Sequence, residues 1–250
     1  MICIWKNYLS IYFISDVHLK FFKDEQEKIK QDKLINFLKS IENDAKELYI
    51  LGDLFDFWFE WNFTIPKFWF NVFFQFKVLI QNGVKVSFIS GNHDFHFNTY
   101  LKNEIGFICY DEKTEFEIET DAGRNKFFLA HGDGYAKKDK GYRVLKKIIR
   151  NKFSIFLFKT FIHPDLGMWL AKKTSETSGK HRNDGPDWQE EYFEFAKSKF
   201  KENFDFVLLG HLHKPMIKKV GKKVYINCGD WINSFSYAIF DGNELLLKKL

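Results

Sequence analysis

Five short blocks of the sequence concentrate side chains able to ligate a cation. They are Asp16 and His18 in DVH, Asp53 in GDLFD, Asn92 with His93 and Asp94 in GNHD, His131 in HGD, and His211 with His213 in GHLH. One such residue beside a strand end is usually a turn or capping group; five blocks in succession need another reason. Imidazole, carboxylate and amide oxygen without thiolate suit divalent manganese, iron or zinc. Seven ligands are too many for one ion and enough for two if a carboxylate bridges them. Two ions roughly 3.5 to 4 Å apart can clamp a phosphoryl group and share an activated water.

Each block follows a short apolar run of strand character: LSIYFI, ELYIL, VKVSFI, KFFLA and DFVLL, with a further run, KVYIN, before CGDW. Between the first two runs, Ile29, Leu34, Phe37, Leu38 and Ile41 recur at helical spacing, and residues 66–82 read as a second helix ending at Gly83. Strands alternating with helices predict an α/β fold with a largely parallel sheet covered on its faces. Ligands of such sheets gather beyond the carboxyl ends of the strands, where Gly52, Gly91, Gly132 and Gly210 let the chain turn toward a shared centre.

The 250 residues are 45% hydrophobic and 28% charged, the balance of a soluble globular chain read as one domain, 1–250, with an inserted element. Three cysteines, Cys3, Cys109 and Cys228, show no pair spacing, which argues against a disulfide framework or a thiolate zinc site and for a reducing compartment. No apolar run reaches the roughly 18 residues of a membrane span, and Lys6 and Asn7 interrupt what a signal peptide would keep apolar. A cytoplasmic location is expected.

The insert is residues 137–182. It holds 13 Lys or Arg against three acids in a chain whose total charge is only +5, so the remainder is net negative. Val144, Leu145, Ile148, Ile149, Phe153, Phe156, Leu157, Phe161 and Trp169 give an apolar face to what reads as two helices around the break at His163-Pro164. A basic amphipathic pair suits an anionic membrane surface or a lipid bearing a diphosphate; the competing reading packs that face on the core. Lying between two ligand-bearing loops, the insert is placed as a lid. The aromatic run after Asp53 is then a candidate wall for a groove beneath that lid, through some of Phe57, Trp58 and Trp61. Asp56 either orients a ligand or caps a turn.

The set DVH, GDLFD, GNHD, HGD and GHLH resembles the calcineurin-like metallophosphoesterases. The resemblance implies a four-layer αββα sandwich with a dinuclear centre at its rim. It further implies that Asp16, His18 and His213 hold one ion, that Asn92, His131 and His211 hold the other, and that Asp53 bridges them. His93, oriented by Asp94, would stand beside the phosphoryl group. A narrower likeness, carried by GDLFDFWFEW, HGDGY with DKGYRVLKKIIRN, HPDLGMWLAKK and YINCGDW, is to the bacterial UDP-2,3-diacylglucosamine pyrophosphatases of lipid A synthesis. That family implies manganese, a lipid-linked UDP-sugar substrate cleaved to UMP and 2,3-diacylglucosamine 1-phosphate, and the cytoplasmic face of an inner membrane. By the same likeness Asp139, Ser175, Lys180 and Arg182 are substrate contacts. One departure stands out: His93 occupies a position where well-studied members carry Arg. The core motifs equally permit a soluble nucleotide or dinucleotide phosphoesterase. A non-catalytic module ranks last because every ligand position is intact. No nucleic-acid partner is expected, since the basic residues flank an apolar face, and nothing calls for an obligate protein partner.

Overall fold

The computed structural model describes residues 10–21, 24–97, 99–120, 123–178 and 186–250, with the side chains of 174–178, 186 and 187 excepted. Its elements run β1 (Ser10–Ile14), α1 (Glu25–Ser40), β2 (Ala45–Leu51), α2 (Phe70–Gln81), β3 (Lys85–Ile89), a π-helical turn (Tyr100–Ile105), β4 (Ile108–Tyr110), β5 (Lys113–Thr120) and β6 (Gly123–Ala130). There follow α3 (Lys140–Ile149), α4 (Lys152–Phe161), α5 (Pro164–Ser178), α6 (Pro186–Lys201), β7 (Phe206–Leu209), β8 (Met216–Val220), β9 (Lys223–Asn227), β10 (Ser236–Phe240) and β11 (Leu245–Lys249).

The strands form two sheets, in the orders β11-β10-β1-β2-β3-β4 and β5-β6-β7-β9-β8. β1 to β4 are parallel, as are β6, β7 and β9; β10, β11, β5 and β8 attach antiparallel at the edges. The parallel centres are buried on both sides, which is why β1, β2 and β7 read as near-continuous apolar runs. Between the sheets, Phe13, Tyr49, Leu51 and Ile89 meet Phe127, Leu129, Phe206 and Ile226, with Phe116 stacked on Tyr49 at 5.1 Å. Outside the first sheet lie Leu34, Phe37 and Leu38 of α1 and Val72, Phe73, Phe76 and Leu79 of α2. Outside the second lie Tyr192, Ala196 and Phe200 of α6. Helices, sheet, sheet, helix is the expected four-layer order.

Local signals explain most boundaries. Asp24 caps α1 by accepting from the Glu27 N–H at 2.7 Å. α2 starts at Phe70 rather than near Pro66, leaving 62–69 as a loop against its N-terminus. The basic segment holds three helices, not two. The additional break falls at Asn151, whose side chain accepts from the Phe153 N–H at 2.8 Å and so starts α4 afresh.

The aromatic run divides in a way the sequence did not separate. Trp58 is core rather than groove wall. It is 1% exposed, stacks on Phe55 at 4.7 Å, packs edge-on to Phe73 at 5.7 Å and donates its indole N–H to Glu60 at 3.3 Å. Trp61 is buried too, against Phe158 and Gly167 of the basic segment. Phe57 and Phe59 are the members that face a cavity. Trp58→Ala should therefore destabilise the fold by about 3–5 kcal/mol in urea unfolding; a loss below about 1 kcal/mol would contradict its place in the core.

Candidate metal centre

All five blocks sit where parallel strands end: Asp16 and His18 after β1, Asp53 after β2, Asn92 after β3, His131 after β6 and His211 after β7. The turns needed to converge the side chains are steep. Seven described non-glycine residues have positive φ, and five of them are Asp16 (53°), His18 (48°), Asp53 (51°), His211 (69°) and His213 (55°). L-residues adopt that region reluctantly, and it is retained where surrounding contacts over-determine it. Two glycines make room: a Cβ at Gly52 would lie 2.6 Å from His131 Nδ1, and one at Gly91 would collide with the Asp53 carboxylate.

The side chains form two clusters around one oxygen. Asp53 Oδ2 lies 3.5 Å from His18 Nε2 and 3.4 Å from His131 Nε2. On the first side, His18 Nε2 and His213 Nε2 are 3.2 Å apart, at 3.7 and 3.4 Å from Asp16 Oδ1. On the second, Asn92 Oδ1 lies 3.0 Å from both His131 Nε2 and His211 Nδ1. Asp16 is fully buried, yet its Oδ1 has no hydrogen-bond donor. A buried carboxylate oxygen facing two imidazole nitrogens without a proton donor is the environment a cation completes. The donor set of nitrogens and hard oxygens fits two divalent ions sharing Asp53.

Outer contacts fix the imidazoles. His131 Nδ1 meets Leu51 O at 2.8 Å, His18 Nδ1 faces Asp56 Oδ1 at 3.5 Å, and His213 Nδ1 faces Asp230 Oδ2 at 3.6 Å. Asp56 thus takes the orienting role of its two alternatives. Asp230 is itself held by the Asn233 and Ser234 N–H groups. Asp94 does not orient the His93 ring as expected. Its carboxylate accepts main-chain N–H bonds from Gly91 at 2.8 Å and from Asp53 and Phe55 at 3.2 Å, knitting two ligand loops together. The His93 ring is set instead by Asp56 O at 2.8 Å from its Nδ1, and its Nε2 stands 4.0 Å from Asp53 Oδ2.

The expected substrate contacts fare differently. Asp139 bends back to the Gly134 N–H at 3.3 Å and braces the loop after His131. Ser175 lies in α5, while Lys180 and Arg182 fall outside the described residues. Two residues had no signal as site components. Asp230 belongs to the sixth strand-end block, CGDW. Lys30, in a charged helical run, is 5% exposed; its ammonium pairs with buried Glu27 at 2.7 Å and donates to the carbonyl of His18.

Charge is strongly polarised here. Burial alone would raise the Asp53 carboxyl, but His131, His93 and His18 hold it well below the usual carboxylate range. Burial opposes a proton on His131, yet Asp53 and Asp16 lift it to about 10; His18 likewise rises to about 10 through Asp16, Asp56 and Asp53. His211 goes the other way, to about 4, through burial and the neighbouring His131 charge. Beside the clusters opens a cavity of about 500 Å³ whose lining includes Asn92 and His93 together with Phe57, Phe59, Leu145, Ile155 and Phe158.

A model of the calcineurin-like phosphoesterase family matches residues 9–215. The chain is 32% identical over 260 residues to a UDP-2,3-diacylglucosamine hydrolase of Porphyromonas gingivalis, across 96% of this chain and 97% of that protein. It is 29% identical over 252 residues to the enzyme of that name from Neisseria meningitidis, across 96% and 97%. Among solved structures, a dimetal phosphatase from Danio rerio superposes with a TM-score of 0.51 at 14% identity, over 97% of this chain and 96% of that one, a likeness of fold.

At pH 7 the metal-free centre keeps protons on His18 and His131, and a ligating nitrogen must give its proton up. Metal uptake should therefore release protons, and affinity should climb with pH toward 10. Calorimetry in buffers of different ionisation enthalpy reads this, and uptake without proton release would contradict it. The double change Lys30→Met with Glu27→Gln removes the prop under His18 without stranding a charge. It should weaken one of two metal equivalents by about 10- to 100-fold; a titration in which both equivalents stay tight would refute the role given to Lys30.

Proposed function

Since the chain belongs to the calcineurin-like phosphoesterase family, whose members are metal-dependent hydrolases of phosphate esters and anhydrides, we propose that it cleaves UDP-2,3-diacylglucosamine to UMP and 2,3-diacylglucosamine 1-phosphate at an anionic membrane surface. The observation that carries this reading is the largely apolar cavity that Asn92 and His93 help to line. Its volume suits a ligand, where small-molecule sites span roughly 300–1,000 Å³. A phosphoesterase for soluble nucleotides has no need of Phe57, Phe59, Leu145, Phe158 and Leu170 beside its reacting phosphorus.

In this reading Asp16, His18 and His213 would hold one ion, Asn92, His131 and His211 the other, and Asp53 would be shared between them. Manganese is the metal expected. Two divalent ions there supply the Lewis acidity that activates a water and neutralises the phosphoryl charge. The remaining work falls to the protein. The carbonyl of Asp56, 2.8 Å from His93 Nδ1, sets the ring so that Nε2 stands on the side of the centre, 4.0 Å from Asp53 Oδ2, within reach of a phosphoryl group held there. The leaving group is a phosphate monoester, which departs with little help from an acid, so the position does not require a strong general acid.

The segment between β6 and α6 serves as a lid. Leu145, Ile149 and Phe158 line the cavity, while Val144, Ile148, Phe153, Phe156, Phe161 and Trp169 remain exposed between lysines. An apolar face turned outward among cations favours contact with anionic lipid over packing on the core. Among the described residues no helix is long and apolar enough to cross a membrane. A surface association on the cytoplasmic side follows from that reading. His93, in place of the arginine of the lipid enzymes, is the feature that favours a nucleotide or dinucleotide substrate instead.

Purified protein with manganese, offered UDP-2,3-diacylglucosamine and a soluble dinucleotide in parallel, should release UMP from the lipid substrate. Phe158→Asp should raise KM for that lipid about tenfold or more by placing a charge in an apolar cavity. Rapid turnover of the dinucleotide alone would overturn the proposal.

A further inference from the structure

A second exposed aromatic surface lies on the body of the protein, outside the lid. Phe63 is 98% exposed, Phe70 is 73% exposed and Phe74, one turn further along α2, is 61% exposed. Single exposed phenylalanines are ordinary; here two stand one turn apart on α2 and the third lies in the loop that leads to it, a concentration of exposed apolar area that asks for a reason. Their neighbourhood is also unusual in charge. From Trp61 to His93 the chain contains no Asp or Glu while carrying Lys67, Lys77 and Lys85, although the protein has 33 acids in all. The lid shows the same bias: from Lys140 to Pro164 there is again no acid.

The two surfaces are neighbours through buried contacts. Phe158 of α4 packs on Phe59 at 4.9 Å and on Trp61 at 6.2 Å, and Trp61 also lies against Gly167 of α5. Two residues after Trp61 comes Phe63. Ile65 and Phe68, from the loop before α2, pack on the same core cluster as Met168 and Ala171 of α5. The body loop and the lid therefore adjoin, and both line the apolar cavity, the body through Phe57 and Phe59 and the lid through Phe158 and Leu170.

We propose that Phe63, Phe70 and Phe74 form a second membrane-docking surface, which enters the same anionic bilayer as the lid and holds the mouth of the cavity against the lipid phase. The proposal rests on the lipid-substrate reading above. Docking by the lid alone would leave the body free to swing about one attachment. Two attachments, one on the body and one on the lid, fix the cavity's orientation, so that an acyl chain passes from bilayer to cavity without crossing water. Phenylalanine rings suit such a contact, since an apolar face carrying Phe buries at the boundary between headgroups and acyl chains. The stretch that bears the three rings contributes no acid of its own to repel anionic headgroups, and its lysines are attracted to them.

The test is co-sedimentation with phosphatidylcholine vesicles, with and without phosphatidylglycerol, for the wild type, Phe63→Glu, the triple Phe63→Ser/Phe70→Ser/Phe74→Ser, and the lid variant Phe153→Ser/Phe156→Ser. Phe63 has almost no protein contact to lose, so its variant folds whatever the triple does. The wild type should bind the anionic vesicles in a salt-sensitive way. The triple should weaken that binding roughly tenfold and slow hydrolysis of vesicle-embedded substrate, while substrate dispersed in detergent is turned over as before. Wild-type vesicle affinity in Phe63→Glu and in the triple would overturn the body surface, even with the lid variant impaired. A wild type that ignores vesicles of both compositions would instead bring down the membrane-surface reading itself, and the body surface with it.

Discussion

The structure depends on one buried oxygen. Asp53 Oδ2 lies within 3.5 Å of imidazoles belonging to two different sheets, His18 after β1 and His131 after β6. A carboxylate 1% exposed is costly unless charge surrounds it, and the surrounding histidines supply that charge until metal replaces their protons. Much nearby architecture holds this arrangement. Asp94 uses its whole carboxylate on three main-chain N–H groups of the Asp53 and Gly91 loops. The left-handed backbone at five ligand positions is the conformational cost of bringing the strand ends to one point. The same constraint explains the absence of a side chain at Gly52 and Gly91, since each Cβ would fall on a ligand or its donor.

The metal centre was legible because its chemistry is written into residue types that a strand end does not otherwise need. The fold around it was legible for a related reason: buried parallel strands leave continuous apolar runs, and β1, β2, β3, β6 and β7 each did. Legibility failed where burial, rather than residue type, decides the role. Trp58 and Phe57 are adjacent aromatics in the same run, yet one is core and the other lines a cavity, which only the packing of Phe55, Trp69 and Phe73 determines. Lys30 sits in a stretch of charged residues whose ordinary fate is solvation, and its contact with His18 depends on how α1 docks. The apolar positions from Val144 to Phe161 keep one helical rhythm through Asn151, so the break between α3 and α4 was hidden until the cap itself was seen. Asp94 follows His93 in sequence but turns to the main chain, because three unpaired N–H groups lie closer than the imidazole.

The basic segment joins the rest of the molecule unevenly. α3 is tied at both ends to the loops that carry ligands. Tyr142 donates its hydroxyl to Asp133 at 2.7 Å, Lys146 pairs with the same carboxylate at 2.9 Å, and Arg150 donates to Gly91 O at 2.7 Å. Asp133 comes two residues after His131, and Gly91 immediately precedes Asn92. No such polar ties bind α4 to the body among the described contacts; it rests on Phe59 and Trp61 through Phe158.

That asymmetry gives the molecule two regions with different freedom to vary. Substitutions on α4 and the cavity face of α5 can reshape the apolar chamber with the ligand loops left as they are. Substitutions on α3 cannot, because the helix that lines one wall is also the brace of His131 and Asn92. Changes in the shape of the chamber are thereby channelled into the outer two helices, and the joint at Asn151 marks the border between the part that supports the ligand loops and the part that only encloses space.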